Sequence, residues 1–120
     1  MAVASQVLTG LVAALHVYFL VLEMFLWKTP FGRRAFDMSA DLAESTATLA
    51  ANQGLYNGFL AAGLVWGLVA YGVVAGRPVL TFFLACVLVA GVFGAVTVSR
   101  RIFFVQALPA LVAAAALWLA

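Results

Sequence analysis

The stretch LAANQGLYNGFLAAGLVWG, residues 49–67, decides the fold because its composition is typical of a helix that packs inside a membrane. It belongs to an apolar segment, residues 49–75, which exceeds the roughly 20 residues needed to cross a bilayer. Its glycines recur four residues apart, a small-xxx-small spacing that lets neighbouring helix backbones approach closely. The pairs are Gly54 with Gly58, Gly63 with Gly67, and Gly72 with Gly76. We predict a central helix, and we favour packing within its own chain over a dimer seam.

The rest of the chain has the same apolar character. Of its 120 residues, 68% are hydrophobic and 8% are charged, and the mean hydropathy is +1.20, which is far from the usual composition of a soluble domain. Two very short connections, AGRP and SRR, separate the later apolar segments and require antiparallel hairpins. We predict an all-α integral membrane protein, an up-down-up-down four-helix bundle forming a single transmembrane domain. The predicted helices are residues 4–27, 42–75, 79–98 and 102–120.

The cations of the loops set the predicted orientation. Lys28, Arg33 and Arg34 follow the first segment, Arg100 and Arg101 precede the fourth, and Arg77 alone lies on the opposite side. The positive-inside rule therefore places loops 28–47 and 99–101 in the cytoplasm and both termini outside. The net charge is +2, and no run of like charge is long enough to indicate a nucleic-acid partner. The predicted environment is the lipid bilayer.

The larger loop carries the signals that delimit the second helix. It begins with a breaker pair, Thr29 and Pro30. Further along, Asp41 followed three residues later by Glu44 resembles a capping box. We therefore expect the second helix to start near Leu42 and to project from the membrane before its apolar part begins.

Polar side chains within the apolar segments fall at a similar depth. If the first helix ends near Trp27, Glu23 lies about four residues, or about 6 Å, inside the cytoplasmic surface. The second and fourth helices start from the same surface, and the third ends there with Thr97, so their polar residues share that level. His16 lies nearly two turns before Glu23 and points in the same direction. The predicted ligand-binding residues are Glu23, Asn52, Gln53, Tyr56, Asn57, His16 and Gln106.

Each of these residues also has a purely structural explanation. The carboxamides can hydrogen-bond across helices, for about 0.6 kcal/mol each. Glu23 can snorkel towards Lys28 or Arg101, and His16 can be a satisfied interior histidine. Because the chain has one histidine and one cysteine, Cys86, we predict no metal site and no cofactor. No nucleophile motif assigns a catalytic residue, so enzymatic activity is left open.

Two segments carry a resemblance to a known family. HVYFLVLEMFLW, residues 16–27, and LAANQGLYNGFLAAGLVWG, residues 49–67, resemble the domain-of-unknown-function 1304 family of small bacterial integral membrane proteins. The resemblance implies a four-helix protein of the bacterial cytoplasmic (inner) membrane and carries no established activity. The positions that match the signature segments, without assigned roles, are Glu23, Asn52, Gln53, Tyr56 and Asn57.

Three functions remain open. In the first, the polar layer binds a small apolar or amphipathic molecule that enters from the cytoplasmic leaflet. In the second, the protein is a proton-coupled transporter that resembles small multidrug resistance exporters, although Glu23 lies near one end of its helix rather than at mid-membrane. In the third, the layer fixes helix register in a structural or assembly protein, and a homo-oligomer is one such assembly. We adopt the ligand-binding hypothesis.

Overall fold

A computed structural model describes residues 1–120, and the chain is built entirely from helices. The elements in chain order are α1 Ala2–Met24, α2 Pro30–Ala35, α3 Ala40–Ala70, α4 Gly72–Ala75, α5 Arg77–Thr97, a π-helical turn Phe103–Ala107, and α6 Leu108–Leu119. The predicted all-helical class is confirmed. Ala2–Met24, Ala40–Ala75 and Arg77–Thr97 are long and apolar enough to cross a membrane, and Phe103–Leu119 is a shorter apolar helix.

The helices form two compact units, and α1 and α3 each contribute to both. The first unit combines Met1–Ala14 with Leu60–Ala120, and the second is Leu15–Phe59. In the first unit, apolar residues of α1, α3, α4, α5 and α6 meet in one core. The core residues are Val12, Ala13, Leu64, Val73, Leu80, Leu84, Val87, Ala110, Ala113 and Leu117.

Small residues bring the helices of the first unit close together. Gly63 lies against the ring of Phe83, and Gly67 lies against Leu80, so the end of α3 and the start of α5 run antiparallel. A Cβ atom added at Gly91 would lie 2.6 Å from the backbone nitrogen of Ala107, so only glycine allows α5 this close to the π-helical turn. The predicted packing within the chain is confirmed for the pair Gly63 and Gly67.

The last predicted glycine pair has a different role. The second helix was expected to continue to residue 75, but α3 ends at Ala70 and α4 begins at Gly72. Gly72 has a φ of +81°, a left-handed conformation that glycine adopts without a steric penalty, and no neighbouring atom lies within 4 Å of a Cβ placed there. The prediction that Gly72 packs against another helix was wrong, because this glycine breaks the helix instead.

The fourth predicted helix is interrupted near its start. Residues 103–107 form a π-helical turn before the regular helix α6. Pro109 explains the interruption, since its nitrogen carries no hydrogen and its ring would clash with the carbonyl of Val105 in a regular α-helix. Widening the preceding turn by one residue accommodates the proline.

In the second unit, the predicted loop contains a short helix. Thr29 caps α2, because its Oγ1 accepts a hydrogen bond from the Gly32 nitrogen at 3.2 Å, and Pro30 begins the helix. Gly32 lies directly on the Leu26 carbonyl, where any side chain would clash. The pair Thr29 and Pro30 therefore starts a helix, whereas α1 already ends at Met24, three residues before its predicted end at Trp27.

The start of α3 also differs from the prediction. Ser39, rather than Asp41, is the capping residue, because its Oγ accepts a hydrogen bond from the Leu42 nitrogen at 3.1 Å. The helix begins at Ala40, two residues before the expected start. Asp41 lies in the first turn, where a negative charge is favourable next to the helix N-terminus.

Candidate functional site

Glu23 and Asn57 form a hydrogen-bonded pair in the second unit, where α1 and α3 run antiparallel. Asn57 is only 7% exposed, and its Nδ2 donates to Glu23 Oε1 at 2.5 Å. Gly54 lies one turn earlier on α3, and because it has no side chain, α1 and α3 come close enough for this hydrogen bond. A Cβ at Gly54 would lie 2.8 Å from Met24 Cγ and 3.0 Å from Glu23 Cβ, so a larger residue would hold the two helices apart.

An open pocket of about 280 Å³ lies beside this pair. Its walls come from the end of α1, the residues that follow it, and one residue of α3. The lining residues are Glu23, Met24, Phe25, Trp27, Lys28, Thr29 and Ala47. The pocket therefore combines a carboxylate, an ammonium group and a hydroxyl with apolar and aromatic surface, a mixture that suits a small amphipathic ligand.

The charged and aromatic residues at the edge of the pocket are engaged with neighbours. Lys28 Nζ lies 3.5 Å from Glu44 Oε2, so the lysine pairs with Glu44 while Glu23 accepts from Asn57. Trp27 Nε1 donates to Thr46 Oγ1 at 3.1 Å, and its ring packs against Phe36 with centroids 4.8 Å apart. These contacts fix the indole as one wall of the pocket.

Three other residues of the predicted site do not line the pocket. Asn52 and Gln53 are exposed, and Tyr56 is 56% exposed and stacks edge-on against Phe59 at 5.5 Å. Asn52 is five residues from Asn57, which is about 140° around a helix of 3.6 residues per turn. A residue at that angle cannot point at the same ligand, so the structure separates Asn57 from Asn52.

His16 and Gln106 are also away from the pocket lining. His16 is fully buried, and its ring meets Phe19 edge-on with centroids 5.3 Å apart. Gln106 is partly buried in the π-helical turn of the first unit. No three side chains among histidine, cysteine, aspartate and glutamate lie close enough together to hold a metal ion.

The comparison with known proteins assigns the chain to a family. Residues 10–118 match the family described as Protein of unknown function (DUF1304). The chain belongs to this family. It is similar to the Uncharacterized protein YpaA of Lactococcus lactis subsp. lactis (strain IL1403), with 28% identity over 108 residues that cover 88% of this chain and 89% of the relative. No solved structure matches. The family expected from the two signature segments is confirmed.

In this DUF1304 member, two buried hydroxyl groups were missed by sequence reasoning. Ser5 and Thr9 of α1 are fully buried, and neither hydroxyl has a hydrogen-bond partner. Ser5, Thr9, Val12 and His16 are three or four residues apart, so they lie on one face of the helix. This spacing was the feature of the sequence that could have identified the two hydroxyl groups as buried. The pocket residues Met24 and Ala47 were missed as well, since neither carries a polar group.

Proposed function

We propose that this protein is an integral membrane protein whose Glu23–Asn57 site binds the polar end of a small apolar or amphipathic molecule. The observation that carries the proposal is the position of the Glu23 carboxylate, which lines an open pocket while a buried carboxamide holds it in place. Acidic side chains within an apolar helix of a membrane protein are costly and mark functional sites by default.

The membrane placement rests on helix lengths and on charge. Three helical stretches are long enough to cross a bilayer, and Phe103–Leu119, at 17 residues, is near the lower limit of about 17 residues. With antiparallel neighbours, these four stretches suit an up-down-up-down four-helix bundle in the bacterial inner membrane. The loop cations then favour cytoplasmic loops 28–47 and 99–101 and external termini. In this orientation the pocket opens near the cytoplasmic surface.

The chemistry of the pocket defines the ligand class. The Glu23 carboxylate accepts hydrogen bonds, so the ligand should offer a hydroxyl or amine group. Met24, Phe25 and Trp27 offer apolar contacts next to it. At about 280 Å³ the pocket is slightly below the range of about 300–1,000 Å³ for drug-sized ligands. It therefore suits the polar end of an amphipathic molecule, with the apolar remainder extending into lipid.

Native mass spectrometry of protein released from nanodiscs tests this proposal. We expect the wild type to carry a defined adduct that is lost in Glu23→Gln. Asp41→Asn is the matched control, because it also removes one carboxylate but changes an exposed residue outside the pocket. Wild-type protein that carries no adduct apart from bilayer lipids, or an adduct of any other mass that persists in Glu23→Gln, would refute the ligand site.

A second candidate function is assembly, and the exposed face of α3 favours it. Leu49, Asn52, Gln53 and Tyr56 have the i, i+3, i+4, i+7 spacing of one helix face, and all four are exposed. Carboxamides are costly in contact with hydrocarbon, and each is both a donor and an acceptor. A second copy of the chain, related by a two-fold axis, would provide both a donor and an acceptor for each carboxamide, because identical carboxamides can pair with each other across the axis.

Cysteine cross-linking in membranes tests this assembly. In a Cys86→Ser background, Asn52→Cys should form a disulfide-linked dimer under mild oxidation. Val65→Cys is the control, since it is 48% exposed on the same helix but lies about 140° around the helix axis from Asn52. Equal cross-linking of both variants would indicate random collision and would count against a specific dimer.

A further inference from the structure

A second cleft in the Leu15–Phe59 unit has an excess of cationic groups. It has a volume of about 230 Å³ and is lined by Pro30, Arg33, Arg34, Asp37 and Met38. None of these residues lines the pocket beside Glu23. Liquid water occupies about 30 Å³ per molecule, so the cleft has room for a phosphate group together with a small substituent.

Arg33 retains unused hydrogen-bonding capacity in this cleft. Its Nε is buried and has no hydrogen-bond partner. A buried donor without an acceptor is unfavourable, whereas a guanidinium group matches the oxygen atoms of a phosphate with two parallel hydrogen bonds. An oxyanion that reaches the guanidinium group of Arg33 from the cleft would supply the acceptor that Nε lacks.

The backbone around the cleft does not repel an anion as a bare helix end would. The final carbonyl groups of α2 already accept hydrogen bonds. The Met38 nitrogen donates to the Arg33 carbonyl oxygen at 2.8 Å, and the Asp37 nitrogen donates to the Arg34 carbonyl oxygen at 3.4 Å. Asp37 makes this turn with a φ of +52°, which is the left-handed conformation that ends many helices. The cationic side chains therefore dominate the local field.

The formal charge of the cleft limits the class of ligand that it can bind. The two guanidinium groups and the Asp37 carboxylate give a formal charge of 2 − 1 = +1. A phosphate diester carries one negative charge and neutralises this sum. The Asp37 carboxylate in addition accepts hydrogen bonds, so a substituent with hydroxyl groups fits better than a bare phosphate.

We infer that this cleft binds a phosphoglycerol group, with Arg33 and Arg34 on the phosphate and Asp37 on the hydroxyl groups. The membrane supplies this chemistry as an anionic lipid headgroup, and the cytoplasm supplies it as a soluble phosphate ester. Phe31, which is 50% exposed on the same short helix, offers apolar surface to the lipid. The inference uses the proposed membrane placement but does not depend on a ligand at Glu23.

Lipid retention in nanodiscs tests the inference. Nanodiscs of phosphatidylcholine with phosphatidylglycerol are used, and lipid adducts are counted by native mass spectrometry. We expect the wild type to retain phosphatidylglycerol at least tenfold more than phosphatidylcholine, and Arg34→Gln and Arg33→Lys to lose most of this preference. Arg33→Lys keeps the charge and removes the planar donor pair, so it avoids burying an uncharged amide at this position.

One control and a measurement without lipid complete the experiment. Arg100→Gln removes one exposed cation elsewhere, so it should retain the lipid. In detergent without lipid, a thermal shift of the wild type with glycerophosphoglycerol, a soluble phosphate diester, assigns a soluble ester, and no shift assigns the lipid. Equal retention by Arg34→Gln and Arg100→Gln, or no preference over phosphatidylcholine, overturns the inference.

Discussion

At the scale of single residues, Asn57 is the polar group with the largest structural consequence. It is buried, and it holds one oxygen of Glu23. Removal of one partner from a buried hydrogen bond leaves the other without compensation, at a cost of about 1–3 kcal/mol. We therefore expect Asn57→Leu to lower the free energy of unfolding by about this amount, measured by thermal denaturation in detergent.

Asn52 is the matched control for this prediction. It is also a carboxamide of α3, but it is exposed, and surface substitutions generally change stability by less than about 0.5 kcal/mol. Asn52→Leu should therefore leave the monomer nearly unchanged. Equal destabilisation by both variants would mean that both carboxamides form stabilising hydrogen bonds between helices, which is the structural alternative considered for them in the sequence.

Gly54 and Gly10 should respond in opposite directions to the same substitution. In Gly54→Ala the new Cβ meets Met24 and Glu23, so α1 and α3 must separate, and overpacking of this kind costs about 1–3 kcal/mol. At Gly10 no atom lies within 4 Å, so alanine fits and should stabilise the helix by about 0.5–1 kcal/mol.

The same thermal measurement checks both glycine variants. A loss of stability in Gly10→Ala would show that α1 has a neighbour at that position. Retained stability in Gly54→Ala, together with retained ligand, would show that the contact at Glu23 is not limited by backbone approach.

At the scale of elements, Pro109 determines the form of the last helix. We expect Pro109→Ala to convert the π-helical turn Phe103–Ala107 into regular α-helix, because the added backbone N–H can then bond to the Val105 carbonyl. Backbone chemical shifts and amide exchange of residues 103–109 measure this change. A turn that persists in the variant would instead be imposed by the close contact between Gly91 and Ala107.

The elements were predictable where one signal dominated. Long apolar runs identified α1 and α5, since nothing in them competes with a helix. The helix α2 was missed because the pair Thr29 and Pro30 is both a breaker and a helix start, and its six residues are too few for a periodic pattern. Ser39 and Asp41 are both good capping residues, and only the three-dimensional path of the chain chooses between them.

At the scale of the whole molecule, the sequence predicted the position of the polar residues along their helices but not around the helix axes. Glu23 and Asn57 were both selected because they interrupt apolar segments, and the structure brings them together. Asn52 was grouped with them because it has a similar depth, although about 140° separates it from Asn57. The direction in which each helix faces depends on contacts such as that of Gly54 with Met24, which no single segment encodes.

The number of membrane crossings gives the prediction that belongs to the whole chain. In the proposed topology of four crossings, Ser39 and Ser99 lie on the cytoplasmic side and Val74 and Leu119 lie outside, and all four residues are exposed. In a Cys86→Ser background, single cysteines at these positions should therefore react with an impermeant maleimide in two pairs, from opposite sides of sealed vesicles. Labelling of Leu119→Cys from the same side as Ser99→Cys would mean that Phe103–Leu119 lies along the surface, since 17 residues only just span the hydrocarbon layer of about 30 Å.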